Sequence, residues 1–309
     1  IKYLNKAIQI APDYAEAYNN IGNTQKDLGN TSEAILNYKK ALSLNPNYVD
    51  SYTNLGIVHS VLEEFDEAEK AFKKALSLDV SNRNVAYYLA DNYFNREFFD
   101  QATQILDTYF KEVQTSDSLN LFGKVLQKKG SEKALDFYFQ ALKGSERKDE
   151  VLSNIGSFYY AKREIEVAIK FYEEALQLNP KNDEARVNLA YAHLSISNFK
   201  SGWSGHEYRW MTPPLNKIKW PFAREEMWNK EEGKRVSLWK EQGIGDEIIF
   251  LGLVPEAKER SQGLAVYIDP RLVPLCERSM PGIKFFGDTK EFEKQAFDYH
   301  MPMGSLPRL

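Results

Sequence analysis

AEAYNNIGNTQKDLGNTSEAILNYKKALSLNPNY (residues 15–48) lies in register with VDSYTNLGIVHSVLEEFDEAEKAFKKALSLDVSN (49–82), one period of 34 residues further on. The small residues Gly22, Ala34 and Ala41 recur as Gly56, Ala68 and Ala75, and the register continues through Ala90 and Ala102, then Gly156, Ala168 and Ala175. A unit over about 117–148 keeps Gly123, Ala134 and Ala141 but is one residue short between the first two. The last unit, over about 183–211, decays into NFKSGWSGHEYRWM. Self-similarity at such a period marks a stack of supersecondary units, none of which can bury its apolar face alone.

Each unit reads as two amphipathic helices, with the small residues where the helices cross and their backbones must approach. Pro46 and Pro180 fall where the second helix has to stop. The pattern resembles the tetratricopeptide repeat over about two thirds of the chain, in five near-complete units and two partial ones. The resemblance implies a superhelix whose concave groove docks a protein or peptide. IKYLNKAIQIAPDY (1–14) matches the second half of a unit, and GSLPRL at the end follows a strand-like run without a closing element, so the chain reads as a fragment at both ends.

Two residues before the small position of the first helix stand Asn20, Asn54, Asn154 and Asn188, interrupted by Tyr88 and Leu121. A primary amide both donates and accepts, and can pair with the main chain of an extended peptide whatever its sequence. A similar asparagine ladder marks the repeats of O-GlcNAc transferases. Two readings stay open: the amides face a bound peptide, or they bond a neighbouring helix.

Composition excludes several classes. With 43% hydrophobic and 27% charged residues the chain has an ordinary globular balance, and a net charge of -4 provides no basic field for nucleic acid or anionic lipid. Cys276 is the single cysteine, so no intramolecular disulfide forms, and a reducing, cytoplasmic setting is expected. No apolar run approaches the roughly 20 residues that span a bilayer. His206 beside Glu207 makes no metal site, because helix neighbours point about 100° apart. Trp203, Tyr208 and Trp210 are expected to seal the solenoid end, and no chemistry is assigned to His59, His193 or His300.

After residue 211 the helical period fails. Pro213, Pro214 and Pro221, with Trp220 and Trp228, mark 212–233 as a linker whose aromatics pack on a neighbouring domain. Beyond it, RVSLW (235–239), GLAVYID (263–269), IKFFG (283–287) and FDYHMPM (297–303) read as strands, and DEIIFLGLVPEAKERS and RLVPLCERSM as helices between the first three. The fold class is thus a helical solenoid over 1–211 followed by a partial, Rossmann-like α/β domain over 234–309. WKEQGIGDEIIF (239–250) occupies the first strand-to-helix junction and places Gly243, Gly245 and Asp246 in the turn. Ligands of open α/β sheets bind outside such strand ends, and glycines there permit positive φ and leave room. Asp246 equally suits a plain N-cap. Without a third glycine, NAD is not expected.

GWSGHEYRW (202–210), EQGIGDEIIF (241–250), PGI (281–283) and GSLPRL (304–309) together resemble bacterial tetratricopeptide glycosyltransferases, whose glycosyltransferase-B domain is related to the lipopolysaccharide heptosyltransferases. The resemblance implies that Asp246 is the base deprotonating a sugar or glycan acceptor. It further implies that Glu241, Gln242, Gly243 and Gly245 orient that acceptor, and that Ser305 and Arg308 reach it from a later loop. The nucleotide-sugar donor expected for the full-length protein would bind a second α/β domain that this chain does not contain, and Asn229 after Trp228 departs from the family's glycine. The alternative expectation is a non-catalytic scaffold for protein–protein interaction.

Overall fold

The computed structural model describes residues 1–213, 215–218, 222–223, 226–241 and 243–309. A single helix, α1 (Lys2–Ile10), precedes antiparallel pairs: α2 (Ala15–Asp27) with α3 (Thr31–Leu44), α4 (Val49–Val61) with α5 (Phe65–Leu78), and α6 (Arg83–Asn95) with α7 (Phe99–Phe110). Two more pairs are α8 (Ser116–Lys128) with α9 (Ala134–Gly144) and α12 (Asp183–Ser195) with the short α13 (Phe199–His206), and between them in the chain come α10 (Lys148–Ala161) and α11 (Ile165–Leu178). The chain divides into two compact units, Ile1–Phe158 and Tyr159–Leu309, so α11, α12 and α13 belong to the same unit as the C-terminal strands.

The glycines of the first helices have a steric reason. A Cβ on Gly22 would lie 2.5 Å from the Tyr38 ring and one on Gly56 2.5 Å from the Phe72 ring, and a Cβ on Gly123 would overlap Tyr138 in the same way. Each pair therefore admits a ring of its second helix against bare backbone of its first. Tyr38, Phe72 and Tyr138 are fully buried as a result, flanked by the buried alanines 34, 41, 68, 75, 134 and 141. Pro46 and Pro180 follow the C-caps Asn45 and Asn179. Each hairpin turn holds one residue at positive φ: Gly29, Glu63, Glu97, Gly130, Arg163 and Ser197. In the short fourth pair, Ala134, Leu135 and Asp136 bond the carbonyls of Ser131, Glu132 and Lys133, three residues back instead of four. The missing residue is thus absorbed in a tightened first turn.

In Tyr159–Leu309, 3-10 turns at Glu207–Met211 and Leu215–Lys217 come after α13. A small α/β layer succeeds them: β1 (Arg235–Trp239), α14 (Ile244–Leu251), α15 (Val254–Arg260), β2 (Gly263–Tyr267), α16 (Val273–Ser279), β3 (Lys284–Phe286), α17 (Thr289–Glu293) and β4 (Tyr299–Pro302). A 3-10 helix, Met303–Arg308, ends the chain. All four strands are parallel, in the order β3-β2-β1-β4. Central β1 is buried beyond Arg235, as a strand covered on both faces must be. The segment expected as one helix, DEIIFLGLVPEAKERS, is two: Pro255 has no N–H to continue α14, so the chain restarts with proline in the first turn of α15. Trp228 is buried in the sheet core and donates Nε1–H to the Glu231 carbonyl at 3.0 Å, whereas Pro214, Trp220 and Pro221 lie outside the described residues. Among the described residues no helix is long and apolar enough to cross a membrane.

Candidate functional site

Two places collect the residues of interest, one in each unit. On the first helices of Ile1–Phe158, Asn20 is exposed and Asn54 and Asn154 are half-buried. Asn54 Nδ2 donates to Asn19 Oδ1 of the preceding repeat at 3.1 Å, an oxygen that also accepts from Ser51 Oγ at 2.9 Å. Asn154 Nδ2 repeats the arrangement with Asn120 Oδ1 at 2.9 Å. A neighbouring helix therefore holds one N–H of each amide, which fixes the side chain and leaves its second N–H and its Oδ1 for other partners. Where the ladder breaks, Tyr88 stacks on Phe72, with ring centroids 5.9 Å apart, and sits edge-on to Tyr87. Both tyrosines line a pocket of about 430 Å³. Burial, then Asp91 and Asp117, push the Tyr87 phenol up to about 12, against the pull of Arg147.

In Tyr159–Leu309 the strand order reverses direction between β1 and β4, the place where open parallel sheets leave a crevice at their carboxyl ends. The chain leaving β1 carries Glu241, and the chain leaving β4 carries Ser305. The family resemblance turns both toward an acceptor; instead, both turn onto Arg209 from the end of the helical array. Arg209 Nη2 donates to Glu241 Oε1 at 3.0 Å, to Oε2 at 2.8 Å and to Ser305 Oγ at 3.0 Å, while Nε donates to Oε2 at 3.2 Å. Its Nη1 donates to the His206 carbonyl and to Glu207 Oε1. The Arg209 and Glu241 side chains are 1% and 2% exposed. Burial pushes the Glu241 carboxyl up and Arg209 pulls it back. A Cβ on Gly304 would overlap Glu241 Oε1, so only glycine lets the strand exit pass this carboxylate.

His206 is buried beside Trp203 and Tyr191. Burial, aided by the Arg209 charge, lowers its pKa to about 4, so the ring is neutral near pH 7. Trp210 packs on Trp239, and Tyr208 lies under the Arg186 guanidinium at 4.1 Å. His300, buried in the same layer, accepts Trp239 Nε1–H at 3.1 Å and bonds the Ala223 carbonyl at 2.7 Å, which is structural bonding.

At the β1 exit, Gly243 is the N-cap of α14 with φ of -71°, and Gly245 is helical, so neither uses the positive φ expected of it. The room they leave is real: a Cβ on Gly245 would meet nothing within 4 Å, and one on Gly243 only Asp246 Oδ2, at 3.9 Å. The plain N-cap reading of Asp246 does not hold either, because Gly243 caps the helix and no side-chain cap bond forms. Asp246 lies half-buried in the first turn. Its neighbour Glu247, to which sequence reasoning assigns no role, is buried and accepts Asp269 N–H after β2 at 2.7 Å. Arg308 is half-buried with its Nε shielded and, among the described residues, without an acceptor. Gln242 lies outside the described residues. Asn188 lines a pocket of about 450 Å³ with Glu184, Val187, Tyr191, Thr212 and Pro213. Burial raises the Tyr191 phenol; Arg209 opposes this, and Glu241, Tyr160 and Asp246 add to it, so the Asn188 pocket shares the electrostatic neighbourhood of Asp246.

The family model described as "Tetratricopeptide repeat" matches residues 15–48 and 49–82, and one described as "TPR repeat" matches 156–196. These three segments are tetratricopeptide repeats. Among curated proteins, Protein FlbA of Caulobacter vibrioides is 30% identical over 99 residues, which is 29% of this chain and 16% of FlbA. Among solved structures, a tetratricopeptide repeat protein from Parabacteroides merdae matches with a TM-score of 0.63 at 14% identity, over 70% of this chain and 87% of that one. The APC/C hetero-tetramer Cut9-Hcn1 matches with a TM-score of 0.61 at 17% identity, over 68% and 42%. At these identities the likeness shows the tetratricopeptide solenoid and nothing finer. The chain spans less than half of both FlbA and the Cut9-Hcn1 chain.

Proposed function

We propose that the tetratricopeptide array docks an extended segment of a protein partner across its first helices. The observation carrying this reading is the pairing of Asn54 with Asn19 and of Asn154 with Asn120, which holds these two amides in a fixed orientation with hydrogen-bonding capacity left over. Asn20 extends the same register within Ile1–Phe158, and Asn188 holds the corresponding repeat position in Tyr159–Leu309. Replacing Asn54 and Asn154 by alanine is expected to weaken a peptide that binds the wild type by about 1 to 3 kcal/mol, since each loss strands a main-chain partner. Titration calorimetry measures this, with circular dichroism to show that the helices persist. Equal affinity in the double variant would assign the amides to helix packing alone.

A second reading, glycosyl transfer by the full-length protein, is favoured by Asp246. Its carboxylate stands in the first turn after β1, beside the strand-order reversal, over glycines with open space around them. In this reading Asp246 takes the proton of a sugar hydroxyl, Gly243 and Gly245 leave room for the acceptor, Gln242 orients it, and Arg308 comes from the chain after β4. Glu241 and Ser305 position the loop through Arg209 instead of touching the acceptor. The donor would be a nucleotide sugar held by sequence outside this chain. Asp246→Asn in the full-length protein is expected to fold normally and lower transfer roughly a hundredfold. Transfer at the wild-type rate would remove the assignment.

A further inference from the structure

The tyrosine-lined pocket on the first helices of the third and fourth repeats falls where the asparagine ladder is interrupted. Tyr88 occupies the ladder position there, and Phe72 covers one face of its ring while the residue stays 37% exposed. Asp91, one turn further along α6, also lines the pocket; its Oδ2 accepts a neutral amide, Asn95 Nδ2, at 3.2 Å. The two cations at the rim are already engaged. Arg147 pairs with Asp117 at 2.8 Å and with Glu150 at 3.1 Å, and Arg83 Nε donates to the Tyr109 carbonyl at 3.1 Å. Of the two carboxylates that line the pocket, Asp117 is paired with Arg147, and among the described residues no ion pair joins Asp91 to a cation. Further along α6 and α8 a cation already lies on an aromatic ring, Lys124 over Phe94 at 4.5 Å.

We infer that this pocket receives a cationic side chain, lysine or arginine, from the extended segment that the repeats dock. The inference rests on the docking reading and adds to it the chemistry of one partner side chain. The exposed part of the Tyr88 ring attracts a desolvating cation through its ring quadrupole, and Asp91 supplies the counter-charge in the same pocket. An anionic side chain at the Tyr88 ring would meet the Asp91 carboxylate one turn away on the same helix.

Fluorescence anisotropy on this protein with three labelled glycine–serine peptides, alike except for a central Arg, Ser or Glu, tests the assignment. The Arg peptide is expected to bind about tenfold tighter than the Ser peptide, and the Glu peptide more weakly than either. Asp91→Asn, which keeps the Asn95 bond and the helix, is expected to bring the Arg peptide down to the Ser value without moving the latter. Tyr88→Leu is expected to act in the same direction. If Arg and Ser peptides bind alike, or if Asp91→Asn retains the preference, the pocket does not read charge although the docking reading stands. If peptides of all three kinds fail to bind, the docking reading falls and the inference with it.

Discussion

Between α4 and α5 the fit is a ring against bare backbone, Phe72 over Gly56, and the same fit returns as Tyr38 over Gly22 and Tyr138 over Gly123. At the carboxyl edge of the sheet the fit is a guanidinium against a carboxylate, Arg209 on Glu241, which is the one ion pair with both side chains buried among the described residues and joins chain segments 32 residues apart with a further contact 96 residues away. An apolar contact can be repeated because shape alone satisfies it, and losing one copy leaves its neighbours intact. A buried ion pair depends on every partner being present, so its loss falls on the whole edge at once.

The largest expected effect comes from that contrast. Arg209→Met leaves Glu241 buried without a counter-ion and is expected to cost about 3 to 5 kcal/mol, whereas Arg209→Met with Glu241→Leu recovers most of it. All five tryptophans lie in Tyr159–Leu309, so their emission during denaturation reports on this unit alone. A single variant within about 1 kcal/mol of wild type would place the two regions on the same footing.

Next comes a pH effect confined to the same edge. The folded pKa of His206, about 4, lies below its ordinary 6.5, so the unfolded chain binds more protons between those values. Stability is therefore full above about pH 6.5, falls as the pH drops toward 4, and levels off below, by at most about 3 kcal/mol. His206→Phe is expected to flatten that decline when tryptophan emission is measured against denaturant at several pH values. An unchanged slope would mean that another group carries it.

In the repeats the expected losses are smaller. Gly56→Ala drives a methyl group into the Phe72 ring and is expected to cost about 1 to 3 kcal/mol by overpacking, relieved by Phe72→Leu as second-site partner. Helical circular dichroism against urea measures both. The smallest effect is a gain: Glu97, exposed and at φ 61°, bears the strain of a left-handed residue, and Glu97→Gly is expected to stabilise by about 0.5 kcal/mol net of chain entropy. A loss there would show that the Glu97 side chain holds the turn.

The same contrast explains what is legible in the sequence. Gly22, Gly56 and Gly123 announce themselves because their environment recurs with the period, and β1 because a strand covered on both faces is a run of apolar residues. The Arg209 fork has no period, and reading a polar loop residue such as Glu241 as solvent-facing presumes that nothing reaches it from elsewhere. The turns at Glu63, Glu97, Arg163 and Ser197 carry no signal because hairpin register, not a glycine, imposes their positive φ. Glu247 stays silent because its partner, the Asp269 N–H, has no side-chain signature.

The tightened start of α9 bears on how such an array changes length over generations. Removing a residue inside a helix would turn every later side chain by about 100° and carry Ala134 and Ala141 out of their crossing. Because the deletion is taken up ahead of Ala134, both alanines remain fully buried and Tyr138 still reaches Gly123. The hairpin is thus an expansion joint. Insertions and deletions that land there pass without disturbing the stack, so the repeats can drift in length while keeping a common packing, and the tyrosine-bearing third repeat can sit beside this shortened fourth one.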